Sequence, residues 1–181
     1  MTTYISILRG INVGGKNQLK MDSLRQLFIN LGFTNVQSYI QSGNVVFQSE
    51  NPDHHILEET IKKSIFDNFN IIVPVIVLNK EKLKTIIQMN PFTNDKTNEI
   101  NYLHITFLAE DIDVSSFEKL KESTFGNDEF ELINKAIYLY CPNGYGNTKL
   151  TNTFFEKKLN VEATTRNWKT ATELARLSDK Y

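Results

Sequence analysis

The chain has 181 residues, 40% hydrophobic and 23% charged, a composition that suits one generous globular domain or two small halves and does not suit a disordered chain. Its longest apolar run, residues 71–78, is broken by Pro74 and falls far short of the roughly 20 residues a spanning helix needs. A formal net charge of −1 and a pI near 6.3 argue against the basic surface of a strong nucleic-acid binder.

In chain order, residues 4–9 read as a strand that empties into the glycine-rich turn Arg9-Gly10-Ile11-Asn12-Val13-Gly14-Gly15-Lys16. Asp22 is expected to cap a helix to about Leu31, with Leu24, Leu27, Phe28 and Leu31 on one face and Gly32 as its stop. Strands follow near 35–40 and 45–49, separated by the tight reversal Gln41-Ser42-Gly43-Asn44. Asp53 opens a helix to about Phe66 with Leu57, Ile61 and Ile65 in an apolar stripe, and residues 71–78 form a buried strand. A helix over 80–89 and a polar loop through Pro91 and Asn98 lead to a second round.

That round reads as a strand at 102–108, a helix at 114–122, a hairpin of 130–134 and 136–141, a helix at 150–159, a short strand at 161–164 and a closing helix from Trp168 to about Leu177. Two βαββαβ rounds predict an α+β fold of two ferredoxin-like halves, a duplication, with extra helices. The expected division is 1–79 for the first half, 80–101 for a connecting helix and loop, and 102–181 for the second half with its C-terminal helix.

Charge gathers around two glycine-rich segments. Residues 1–25 set Arg9, Lys16, Lys20 and Arg25 against Asp22, a net of +3, and residues 149–169 hold five cations against Glu156 and Glu162, also +3. Residues 91–132 carry ten acids against three lysines, a net of −7. The second segment, Pro142-Asn143-Gly144-Tyr145-Gly146-Asn147-Thr148-Lys149, also lies between a strand and a helix. Glycines there serve either tight turns alone or the aiming of backbone amides at an anion, and the flanking cations favour the anion. The spacing is not that of a nucleotide-triphosphate loop, because Leu150 stands where serine or threonine should follow the lysine.

In the first half, right-handed crossovers place the turn after strand one and the 41–44 reversal at the same end of the sheet, so Arg9, Asn12, Lys16, Gln41, Ser42 and Asn44 converge there. In the second, the Gly144 and Gly146 loop shares an end with Thr165-Arg166-Asn167-Trp168-Lys169, opposite the end carrying Glu110, Asp111 and Asp113. With the halves face to face, both basic ends would line one cleft. The expected ligand contacts are therefore Arg9, Gly10, Asn12, Gly14, Gly15, Lys16, Lys20, Gln41, Ser42, Asn44, Gly144, Gly146, Lys149, Arg166, Asn167 and Trp168. Trp168 reads more readily as a packing anchor than as a stacking platform, and Gln41, Ser42 and Asn44 read also as stabilisers of their own hairpin.

The runs Leu8-Arg9-Gly10-Ile11-Asn12-Val13-Gly14-Gly15-Lys16 and Tyr39-Ile40-Gln41-Ser42-Gly43-Asn44-Val45-Val46-Phe47, with Asn90-Pro91-Phe92, Thr148-Lys149-Leu150-Thr151 and Thr165-Arg166-Asn167-Trp168, resemble the bacterial uncharacterised family known as domain of unknown function 1697. The resemblance spans nearly the whole chain. It implies a duplicated ferredoxin-like fold and assigns no catalytic residue. Thr148 stands where the family often has a serine, which keeps the hydroxyl.

Cys141 is the only cysteine, so it makes no internal disulfide, and it ends the alternation Ile137, Leu139, Cys141, where it reads as a small buried group. His54, His55 and His104 show no metal-site spacing. No general base or nucleophile and no cofactor stand out. The N-terminus lacks a basic cluster and a small-residue cleavage pattern, so a cytoplasmic location is expected. The expected activity is the binding of a small phosphorylated or carboxylated ligand. The alternatives are RNA binding, for which Ser42-Gly43-Asn44-Val45-Val46-Phe47 lacks the aromatic pair that stacks bases, or a structural, partner-binding role.

Overall fold

The computed structural model describes residues 1–94 and 99–181. It contains β1 (Thr2–Leu8), α1 (Met21–Asn30), β2 (Thr34–Tyr39), β3 (Asn44–Ser49), α2 (His54–Phe69), β4 (Val75–Asn79) and α3 (Lys80–Gln88). After these come β5 (Leu103–Leu108), α4 (Val114–Lys121), β6 (Glu129–Ile133), β7 (Ala136–Tyr140), α5 (Asn152–Leu159), β8 (Ala163–Asn167) and α6 (Trp168–Ser178). The strands form two four-stranded antiparallel sheets, ordered β2-β3-β1-β4 and β6-β7-β5-β8. This is the expected α+β architecture of two ferredoxin-like βαββαβ halves, each followed by one extra helix. Two compact units emerge, Met1–Lys84 with Glu173–Tyr181, and Thr85–Thr172. None of the described helices is long and apolar enough to cross a membrane.

The first unit's core lies between its sheet and the helices α1 and α2. Alternation along the strands sends Tyr4, Leu8, Val45, Phe47, Val75 and Val77 to that side, where they meet Leu24, Phe28, Leu57, Ile61 and Ile65. Phe47 sits at the centre of an aromatic cluster, 4.6 Å from Phe33, 5.2 Å from Phe28 and 5.8 Å from Tyr4 between ring centroids. Such pairs contribute about 0.5–1.5 kcal/mol each beyond simple burial. The alternate residues Ile5, Ile7, Val46, Ile76 and Leu78 are buried as well. In the second unit, Leu108, Phe117, Phe130, Ile137, Leu139, Leu150 and Phe155 form the corresponding core.

The same main-chain bonds close the ends of both sheets. Leu8 N donates to Gly43 O at 2.9 Å and Arg9 N to Pro74 O at 3.0 Å, while Leu108 N donates to Lys135 O at 3.0 Å and Ala109 N to Glu162 O at 2.9 Å. The second helix of each half also ends on a left-handed asparagine, Asn70 at φ 54° and Asn160 at φ 52°.

Several boundaries differ from those the sequence predicts, each for a local reason. Helix α1 begins at Met21 with Lys20 as N-cap, because the Asp22 carboxylate pairs with Arg25 and caps nothing. Strand β4 begins only at Val75, since Pro74 has no N–H to give a ladder. Helix α5 begins at Asn152, where Thr151 Oγ1 accepts Phe154 N at 3.2 Å. Strand β8 runs on to Asn167 despite its polar residues, because its backbone pairs with β5 from Leu108↔Ala163 to His104↔Asn167. Pro91–Asn94 forms a short 3-10 turn, and the rest of the polar loop expected through Asn98 lies outside the described residues.

Candidate functional site

In the first unit, the registers Ile7↔Asn44 and Leu8↔Val75 bring the loop after β1 and the β2–β3 reversal to one end of the sheet. Val13 and Lys16 bridge each other, with Lys16 N donating to Val13 O at 3.0 Å. Gly14 and Gly15 occupy the two central positions at φ 57° and 76°, the backbone of a tight primed turn that glycine adopts without strain. Asn12 is the strut of the loop. Its Nδ2 donates to Leu19 O and Gln41 O, both at 2.8 Å, and its Oδ1 accepts Leu19 N at 2.8 Å. Asn17 closes the base by donating from Nδ2 to Gly10 O at 3.1 Å.

These bonds frame a pocket of about 420 Å³ lined by Asn12, Gly15, Gln18, Leu19, Lys20 and Gln41. Of the residues expected to meet a ligand, Asn12, Gly15, Lys20 and Gln41 come together here. Lys16 is exposed on the turn, and neither its ammonium nor that of Lys20 has a partner among the described residues. Arg9 is half-buried. Asn44 is fully buried and its Nδ2 donates to Tyr39 O at 3.2 Å and Ser42 Oγ at 2.9 Å, so these two residues pin the hairpin that carries Gln41. Gln18 and Leu19 join the lining although the sequence reading passes over them. Their only signal is position, just ahead of α1 in the same loop.

The start of α1 shapes the electrostatics of the pocket. Lys20 occupies the N-cap, where serine, threonine, aspartate or asparagine would normally accept an orphan amide, and it makes no such bond. The structurally equivalent start in the second unit is different. Asp113 caps α4, its carboxylate accepting Ser115 Oγ at 2.5 Å and Ser115 N at 3.0 Å, and these bonds hold it below the usual carboxylate range. One βα turn therefore brings Lys20 to a helix start without a side-chain cap, its first-turn Asp22 paired with Arg25, and the other presents acids.

In the second unit, Gly144, Gly146 and Lys149 lie on the loop after β7, at the same sheet end as Asn167. Tyr145 stacks on His104, 4.7 Å between centroids, and Asn147 Nδ2 donates to Asn143 O at 2.7 Å. Thr148 Oγ1 donates to Asp128 Oδ2 at 2.5 Å and accepts Leu150 N at 3.0 Å. Arg166 Nη1 donates to Thr164 Oγ1 at 3.0 Å and Thr165 O at 2.9 Å, and desolvation pulls its guanidinium down to about 10. Asn167 Oδ1 accepts Thr170 N at 2.8 Å at the start of α6, and Trp168 O accepts Thr172 Oγ1 at 3.0 Å. Among the described residues no three histidine, cysteine or acidic side chains gather in a way that would hold a metal ion.

The family described as "Protein of unknown function (DUF1697)" matches residues 1–138, well over half of the chain. The chain belongs to this family. The match contains both long motifs, the loop after β1 and the 41–44 reversal, and it ends inside β7, ahead of the Gly144 loop. The chain is also similar to conserved bacterial protein SP0830 from Streptococcus pneumoniae, a solved structure. The identity is 26%, the TM-score is 0.76, and 98% of each chain is covered. No curated protein matches.

Proposed function

We propose that this DUF1697 protein binds a small phosphorylated or carboxylated ligand in the pocket between the loop after β1 and the β2–β3 reversal. The observation that carries the reading is the start of α1, where Lys20 replaces the capping side chain inside a pocket also lined by Asn12 and Gln41. Uncapped amides at a helix N-terminus and a neighbouring ammonium both favour an anion. The Asn12 bonds fix the loop in advance, so little ordering is left for the ligand to drive. This reading is preferred to RNA binding because Tyr4 and Phe47, the aromatics of the central strands, are buried against each other in the core.

Thermal-shift screening of inorganic phosphate, pyrophosphate, nucleotides, sugar phosphates and dicarboxylates tests the proposal. A ligand at 100 times its Kd stabilises the folded state by about 2.7 kcal/mol. The expected result is a saturable rise in Tm for one anionic class, lost in the Lys16→Gln/Lys20→Gln variant. A panel without a hit, or a hit that the variant retains, overturns it.

A further inference from the structure

A second cavity, of about 410 Å³, lies in the second unit between α4 and α5. Its lining follows helical spacing. Ser116, Lys119, Leu120 and Ser123 recur at i, i+3, i+4 and i+7 along one face of α4 and its C-terminal extension, and Phe154 and Lys158 recur at i, i+4 on α5. Phe125 completes the floor, packed edge to face on Phe154 with centroids 5.3 Å apart. The volume is within the range of small-molecule sites, which are mostly apolar with a few convergent polar groups.

The two lysines distinguish this groove from an ordinary helix seam. A lysine in a helix's last turn generally complements the dipole, and Lys121 does so while bonding Glu131 at 2.9 and 3.0 Å. Lys119 and Lys158 also stand in the last turns of α4 and α5, but they line the groove, one from each helix, and neither has a partner among the described residues. Two like charges over an aromatic floor are complementary to one kind of occupant, a flat apolar body with an anionic head.

We infer that this groove is a binding site for a small aromatic carboxylate, held by Phe125 and Phe154 on its ring and by Lys119 and Lys158 on its carboxylate. The site is independent of the pocket in the first unit.

Titration of the ¹⁵N-labelled full chain with 2-naphthoate, followed by amide NMR, tests the inference. The expected result is saturable shifts confined to residues 114–125 and 152–159. Affinity should fall tenfold or more for 2-naphthamide, which has the ring without the charge, and for the Lys119→Gln/Lys158→Gln variant, whose exposed substitutions leave the core intact. The Phe154→Leu variant should also bind more weakly. Absence of shifts at millimolar 2-naphthoate, shifts centred elsewhere, or equal affinity for the amide or the double-glutamine variant would overturn the inference.

Discussion

Gly43→Ala is expected to be among the most damaging single-methyl changes in the first unit. Gly43 lies at φ +75°, and a Cβ built there would stand 2.8 Å from Leu8 Cβ and 3.2 Å from Ile11 Cγ1. Neither neighbour can retreat, since both are buried in the core and Leu8 N is tied to Gly43 O at 2.9 Å. Left-handed backbone costs alanine about 1–2 kcal/mol, and forcing a methyl into packed surroundings costs about 1–3 kcal/mol more. The stiffer unfolded chain returns about 0.4–1 kcal/mol. Gly14→Ala is the control, with similar φ, +57°, and nothing within 4 Å of the added carbon. The two variants should therefore differ by about 1–3 kcal/mol, or roughly 2–12 °C in Tm for a chain of this size. Urea and thermal unfolding followed by circular dichroism measure the difference. If Gly43→Ala is no less stable than Gly14→Ala, the close approach of hairpin and loop is not what requires glycine there.

Two further predictions concern buried titratable groups. Burial pushes the Cys141 thiol up to about 11, and the side chain is fully enclosed. The native protein should thus resist a thiol-specific disulfide reagent at pH 8 and react only when unfolded in urea, and prompt stoichiometric labelling of the native state would contradict this. Burial also pulls His104 below its ordinary 6.5, opposed in part by the bond from Nδ1 to Tyr102 O at 3.2 Å. The unfolded chain then takes up this proton first. The stability is full above about pH 6.5 and declines as pH falls from there toward the folded pKa. The urea midpoint should drop between pH 7 and 5, less steeply in His104→Asn, while the contribution of His54, also lowered by burial, stays in both proteins. Equal slopes in the two proteins would refute the assignment.

The fold was legible because periodicity and turn residues agree with the tertiary structure. The stripe Leu57, Ile61, Ile65 faces the core as expected, and Asp53 caps α2 by accepting His55 N at 2.9 Å. Two of the misplaced boundaries involve a side chain whose partner lies elsewhere, whereas Pro74 delays β4 by lacking an N–H. Asp22 looks like a cap until Arg25 claims it, and Thr165 looks like a loop residue until its hydroxyl meets Thr106 Oγ1 at 2.7 Å across the ladder. The candidate site was legible only as a place in the fold, since topology alone brings residues 9–20 and 41–44 to one end of the sheet. The separate tasks of those residues were not, because pattern does not reveal that the Asn12 amide is spent on Leu19 and Gln41.

The two glycine-rich segments also look interchangeable in sequence and are not. The first joins β1 to α1, whose counterpart in the second unit is residues 109–113, joining β5 to α4. That counterpart is acidic, with Asp113 on the helix start and Asp111 paired to Lys135 at 3.4 Å. The second glycine segment follows β7, and its counterpart in the first unit, residues 50–53, ends in the capping Asp53. The shared glycines therefore mark two different turns rather than one turn used twice. An anion of the kind proposed for the start of α1 would face the Asp113 carboxylate at the equivalent start of α4. The physical difference between the halves thus favours a single anion site of this kind per chain, even though the fold is repeated.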